Sequence, residues 1–124
     1  MRIGNIYRPT VIGCRPGERL ADAARRMAEE KVGALPLLDG DRVIGIITER
    51  DLVTAMADAV DPDATDVASY ATDTVQTADV NEDSQQVARR MLEAGIRHLP
   101  VREGGRMVGM VSMRDLLALE TWMS

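Results

Sequence analysis

Across residues 20–31, Leu20, Ala23, Ala24, Met27 and Ala28 recur at helical spacing with charged residues between them. That spacing predicts an amphipathic helix. Val87, Ala88, Met91 and Leu92 repeat the pattern and predict a second helix over 84–94. "ALPLL" and "HLPVR" are short apolar runs that read as strands, with Pro36 and Pro100 at a strand edge or end because proline donates nothing to a ladder. "DGDR" and "EGGR" carry the acid and glycine of a hairpin turn, and "VIGIIT" and "MVGMVS" supply the returning strands. "ERDLVTAMA" and "MRDLLALETWM" follow as amphipathic helices, while residues 10–13 and 74–77 read as short opening strands. The order is strand, helix, strand, strand, helix, written twice.

The two copies are in strict register. "ARRMAEEKVGALPLLDGDRVIGIITERDL" (24–52) lies over "ARRMLEAGIRHLPVREGGRMVGMVSMRDL" (88–116) at an offset of 64 without a gap. Ala24, Arg25, Arg26, Met27, Glu29, Leu35, Pro36, Gly40, Arg42, Gly45, Arg50, Asp51 and Leu52 all recur as the same residue type. A tandem duplication is the reading that fits. The fold class is therefore α/β of the α+β type, with repeats at 1–60 and 61–124 and an Asp-Pro at 61–62 marking the join. Each half is about 60 residues, a size at which burial is marginal, so the halves are expected to stabilise each other.

Composition narrows the function. The 124 residues contain no Phe and 8 Met, so methionine has to fill gaps that rings would otherwise occupy. The series Met107, Met110 and Met113 belongs to such filling rather than to a thioether metal site. Net charge is −5, without the cationic footprint that nucleic acid requires. The paired arginines at 25–26 and 89–90 read as solvated helix faces. No apolar run suits a signal peptide or a bilayer span, and a single cysteine, Cys14, forms no intrachain disulfide, so a cytoplasmic location is expected. One thiol and one histidine build no structural zinc site, and no paired acid and base or partnered nucleophile suggests an enzyme.

Thr48 and Ser112 stand where a strand ends and a helix begins, each three residues before an aspartate. Thr-x-x-Asp is a capping box, and closing free backbone amides is its simplest use. Three features point further. Gly45 and Gly109 precede the hydroxyls by three residues and permit close approach to the backbone. Arg50 and Arg114 sit between hydroxyl and acid, near a helix N-terminus that favours an anion. A carboxylate also accepts from both hydroxyls of a vicinal diol, while hydroxyl, amide and guanidinium suit a phosphate.

The repeated "G-h-h-[ST]-x-x-D" after an "h-h-P-h" strand resembles the CBS domain, and two copies resemble a CBS pair, over residues 2 to 119. The resemblance implies two β-α-β-β-α units packed about a pseudo-twofold axis, with clefts that commonly take adenosine nucleotides. It implies that Thr48, Arg50 and Asp51 serve one cleft and Ser112, Arg114 and Asp115 the other, the aspartates on the ribose. Val32, Gly33 and Ala34, and likewise Ile96, Arg97 and His98, would lie beside base and phosphate. The opening strands near Thr10 and Thr74 would offer backbone groups to adenine. Because Gly33 and Ala34 are uncharged where Arg97 and His98 are basic, unequal sites are expected, the phosphate-preferring one around Asp115. The resemblance further implies a regulatory protein that is not an enzyme and requires no cofactor, takes AMP, ADP or ATP as regulatory ligand, forms a homodimer and acts through its dimer geometry or a separate effector protein. The competing reading is a ligand-free interaction module in which the aspartates only cap helices.

Overall fold

The computed structural model describes residues 1–9, 12–73 and 76–123, with side chains to residue 118 in the last helix. The chain divides into two compact units, one of residues 12–75 and one that joins residues 1–11 to 76–124.

The helices and hairpins stand where periodicity puts them. In the first unit α1 (Leu20–Glu30) precedes a hairpin of β2 (Ala34–Asp39) and β3 (Arg42–Thr48), and α2 (Glu49–Ala57) follows. In the second, β4 (Ala78–Asp79) leads to α3 (Ser84–Ala94), the hairpin of β5 (His98–Glu103) and β6 (Arg106–Ser112), and α4 (Met113–Met123). Both hairpins carry a register shift at equivalent places, Leu37/Leu38 and Val101/Arg102.

Of the opening strands expected at 10–13 and 74–77, residues 10, 11, 74 and 75 lie outside the described residues. Among the described residues, parallel pairing with the hairpin is made by Cys14, bridged to Leu37, and by Ala78, paired with Val101. Cys14 and Ala78 are small, buried and 64 residues apart, so the wall of each core fixes the pairing there. A strand absent from the periodicity, β1 (Arg8–Pro9), adds antiparallel to the outer edge of β6, giving a sheet of order β1-β6-β5-β4. Two residues are too few to show alternation, so only the partner defines this strand.

The cores repeat position by position. Met27, Leu35, Leu37 and Ile47 in one unit match Met91, Leu99, Val101 and Val111 in the other. The exception is instructive. Ile3 belongs to the core of the second unit and Val67, its equivalent at the 64 offset, to the core of the first. The segment that opens each repeat thus packs on the other repeat's hairpin: Arg8 pairs with Met110, and Thr72 bridges to Ile46.

Charge agrees with that exchange. Arg19, at the start of α1, pairs with Asp66, whereas the matching Asp83, just before α3, receives the Met1 ammonium at 3.4 Å and lies opposite Arg2 in a backbone β-bridge. Were each opening segment to lie on its own repeat, Arg2 would face Arg19 and Asp66 would face Asp83. Like charges would then meet in both places, which disfavours that arrangement.

The second arginine of each pair is not a solvated face. Arg26 turns inward to bond the Gly13 carbonyl at 2.6 Å and Glu18 at 2.7 and 3.1 Å. Arg90 makes the same clamp on the Thr77 carbonyl and Glu82. Helical periodicity placed both on the polar side. Their long stems nevertheless let the guanidinium reach carbonyls that the opening segment leaves unpaired. Arg25 and Arg89 alone stay exposed.

The hydrogen bonds from Arg26 hold the Glu18 carboxyl below its usual range. A carboxylate depressed in the folded state stabilises the fold above its unfolded pKa of about 4.3 and loses that contribution as acid protonates it. The stability gap between the wild type and Glu18→Gln should therefore close as the pH falls from about 5 to about 3, read by thermal melting. A gap unchanged down to pH 3 would deny the pair this role. Burial acts oppositely on Cys14 and pushes its thiol up, with Arg26 opposing. The Cys14 side chain is a neutral core group.

Candidate carboxylate site in each unit

Each site grows from a strand-to-helix junction. In the first unit the Glu49 amide, at the start of α2, donates to the Gly33 carbonyl at 3.0 Å, and Ala34 pairs with Thr48 across the hairpin. In the second, the Met113 amide donates to the Arg97 carbonyl at 2.8 Å, and His98 pairs with Ser112. The segment before each proline is thereby tied to the helix start that carries hydroxyl and acid. Within one unit Gly33, Ala34, Thr48 and Asp51 come together, and within the other Arg97, His98, Ser112 and Asp115. Val32 and Ile96, partly buried, pack against the cores of their units.

Not every candidate joins. Arg50 and Arg114 are exposed, and neither side chain hydrogen-bonds a described residue, so neither has the surface ion pair that an arginine among acids suggests. Thr10 and Thr74 lie outside the described residues.

The two carboxylates are used differently. Asp51 closes a full capping box. Its Oδ2 accepts from the Thr48 amide at 2.9 Å and from the Thr48 hydroxyl at 3.0 Å, and its own amide donates to Thr48 Oγ1 at 3.3 Å. Ser112 Oγ likewise accepts from the Asp115 amide at 3.0 Å. The Asp115 carboxylate, however, turns to Arg8, whose Nε and Nη2 approach Oδ1 at 3.3 and 3.2 Å. Asp115 is 15% exposed and Arg8 67%. Sequence reasoning missed Arg8 because 107 residues separate it from its partner. Its one signal was its place 64 residues before Thr72 in the repeat.

The glycines have a different purpose from the one expected. A Cβ on Gly109 would lie 2.2 Å from the Arg8 carbonyl oxygen and 2.6 Å from the Tyr7 ring. On Gly45 it would meet the Thr72 carbonyl at 2.8 Å. The group that needs close approach is the chain's own crossing segment. Glycine is present so that β1, and the bridge at Thr72, can lie flat on the edge strand.

No group of His, Cys, Asp and Glu among the described residues is arranged to hold a metal ion. No described helix is long and apolar enough to cross a membrane.

A duplicated β-α-β-β-α unit with a hydroxyl and an acid at each final strand-to-helix junction defines the class. The CBS domain model matches residues 3–58 and 66–120, and the chain belongs to the CBS-domain family. It is 36% identical over 117 residues to an uncharacterized 17.7 kDa protein of Acidianus ambivalens, covering 93% of this chain and 70% of that protein. Among solved structures it resembles the CBS domain pair of protein MJ0100 in complex with 5′-methylthioadenosine and S-adenosyl-L-methionine. The TM-score is 0.91 at 25% identity, covering 100% of this chain and 98% of that one. It also resembles Hypoxic Response Protein I, a structure with two coordinated zinc ions. There the TM-score is 0.78 at 30% identity, over 96% of this chain and 98% of that one.

Proposed function

We propose that the protein is a regulatory CBS pair without enzymatic activity that binds adenosine nucleotides of the AMP, ADP and ATP class. Asp51 and Asp115 each accept from a ribose diol, and Thr48 and Ser112, with the helix-start amides beside them, face the phosphate. Arg97 and His98 make the Asp115 site the phosphate-preferring one. The ligand acts through the geometry of a homodimer or through a separate effector protein. Val53 and Met56, 66% and 82% exposed on α2, offer the apolar surface for such an association.

One observation carries the reading. In both units a backbone hydrogen bond ties the pre-proline segment to the start of the helix bearing hydroxyl and carboxylate. The family relative that holds two adenosyl compounds supports the ligand class. A second reading, caps without ligand, draws support from the closed box at Thr48 and Asp51 and from glycines that the crossing segment already accounts for.

Thermal denaturation with AMP, ADP, ATP, NAD and S-adenosylmethionine separates the two, because a compound that prefers the native state must raise its melting temperature. A rise is expected with AMP or ATP. Losing hydrogen bonds to a charged acceptor should weaken AMP roughly tenfold or more in Asp115→Ala, and less in Asp51→Ala. No shift with any compound, alongside intact folding, would leave the capping role alone. Equal losses in the two variants would remove the asymmetry.

A further inference from the structure

Arg8 sets the two carboxylates apart. Its backbone is fixed by the β1–β6 ladder, where Arg8 opposes Met110, and by the contact of its carbonyl with Gly109. The side chain therefore starts beside Asp115 whether or not the ion pair forms. Both the Nε and the Nη2 protons are directed at one oxygen of a carboxylate that is mostly buried. At the equivalent place in the other unit stands Thr72, which has no cation, and Asp51 turns back to Thr48 instead.

We infer that Arg8 is a displaceable latch on the Asp115 site: it occupies the acceptor that a sugar diol would use, and a nucleoside enters by moving it aside. The inference rests on the proposed ligand class and adds to it a gate on one site only. The exchange is balanced in chemistry. Two N–H donors leave the carboxylate and two O–H donors replace them, while the released guanidinium, two-thirds exposed, passes to water. Because the pair is solvated on the arginine side, its grip is modest, of the size that exposed ion pairs show.

The latch makes a prediction opposite in sign to that for an ordinary ligand contact. Adenosine is the probe, since it has the diol but no phosphate for Arg8 to attract. By titration calorimetry on the full chain, Arg8→Ala should tighten adenosine at one class of site by roughly two- to fivefold. The gain should vanish when Asp115→Ala is added and persist when Asp51→Ala is added. Arg8→Lys, which keeps the charge but not the fork, should fall between. If adenosine binds the wild type and Arg8→Ala leaves it unchanged or weakens it, the latch is wrong while the ligand class stands. If neither the wild type nor Arg8→Ala binds adenosine or AMP, the ligand reading fails and takes the latch with it. Binding by Arg8→Ala alone would be the strongest support.

Discussion

Gly109→Val is expected to lower the unfolding free energy by about 3 kcal/mol, the upper part of the usual range for forcing atoms into a filled space. The added Cβ would stand 2.2 Å from the Arg8 carbonyl and 2.6 and 2.9 Å from two atoms of the Tyr7 ring. Neither is the far end of a flexible chain, so rotation offers no relief. The segment at Tyr7 and Arg8 must lift from β6, giving up the pairing of Arg8 with Met110 and of Pro9 with Gly109. Gly45→Val meets a single carbonyl at 2.8 Å and should cost less. Gly17→Ala, with nothing within 4 Å, is the control and should stay within about 0.5 kcal/mol. Urea unfolding measures all three. A loss below about 0.5 kcal/mol for Gly109→Val would mean that β1 is not held on β6 as described.

Leu99→Ala is expected to cost about 3 kcal/mol, and Leu35→Ala a similar amount, as buried leucine truncations do. The two residues are 64 positions apart and 0% and 2% exposed. Each is walled by matching neighbours: Met27, Leu37 and Ile47 around one, Met91, Val101 and Val111 around the other. The cavity left behind is lined by aliphatic and methionine side chains, of which the unbranched methionines are the best able to move into it. Natural domains hold only about 5–15 kcal/mol in reserve, so either change removes a large share. Leu92→Ala, at a residue 71% exposed, should be nearly silent. Losses under about 1 kcal/mol at both leucines would show that these positions are not the packed centres of their units.

These two results bear on the functional proposal because the crossing segment links fold and site. The strand that Gly109 admits is the one that brings Arg8 to Asp115. The unit holding Asp51 receives its own crossing segment, bridged at Thr72, which delivers a carbonyl and a small hydroxyl but no cation. Duplication produced two equivalent junctions, and the unlike residues at positions 8 and 72 make them unequal. The difference between Gly33–Ala34 and Arg97–His98, visible in the sequence, adds a second inequality at the same places.

The sequence by itself determined what depends on local order. An offset of 64 established the duplication. Apolar spacing located the four helices, acid and glycine marked the hairpin turns, and Thr48 with Asp51 showed as a helix cap because all its partners lie within three residues. Pro36 and Pro100, expected at a strand edge or end, instead sit inside β2 and β5. The tertiary structure decided every pairing across long separations: β1 on β6, Ile3 in the second unit's core, and Arg8 on Asp115 across 107 residues. It also decided that Arg26 and Arg90 turn inward, since a helical period reports which face a residue occupies but not how far a long side chain reaches. The physical reason is common to all of these. Periodicity records the environment of a residue averaged over its face, whereas a specific partner is chosen only when two distant stretches of chain are brought into contact.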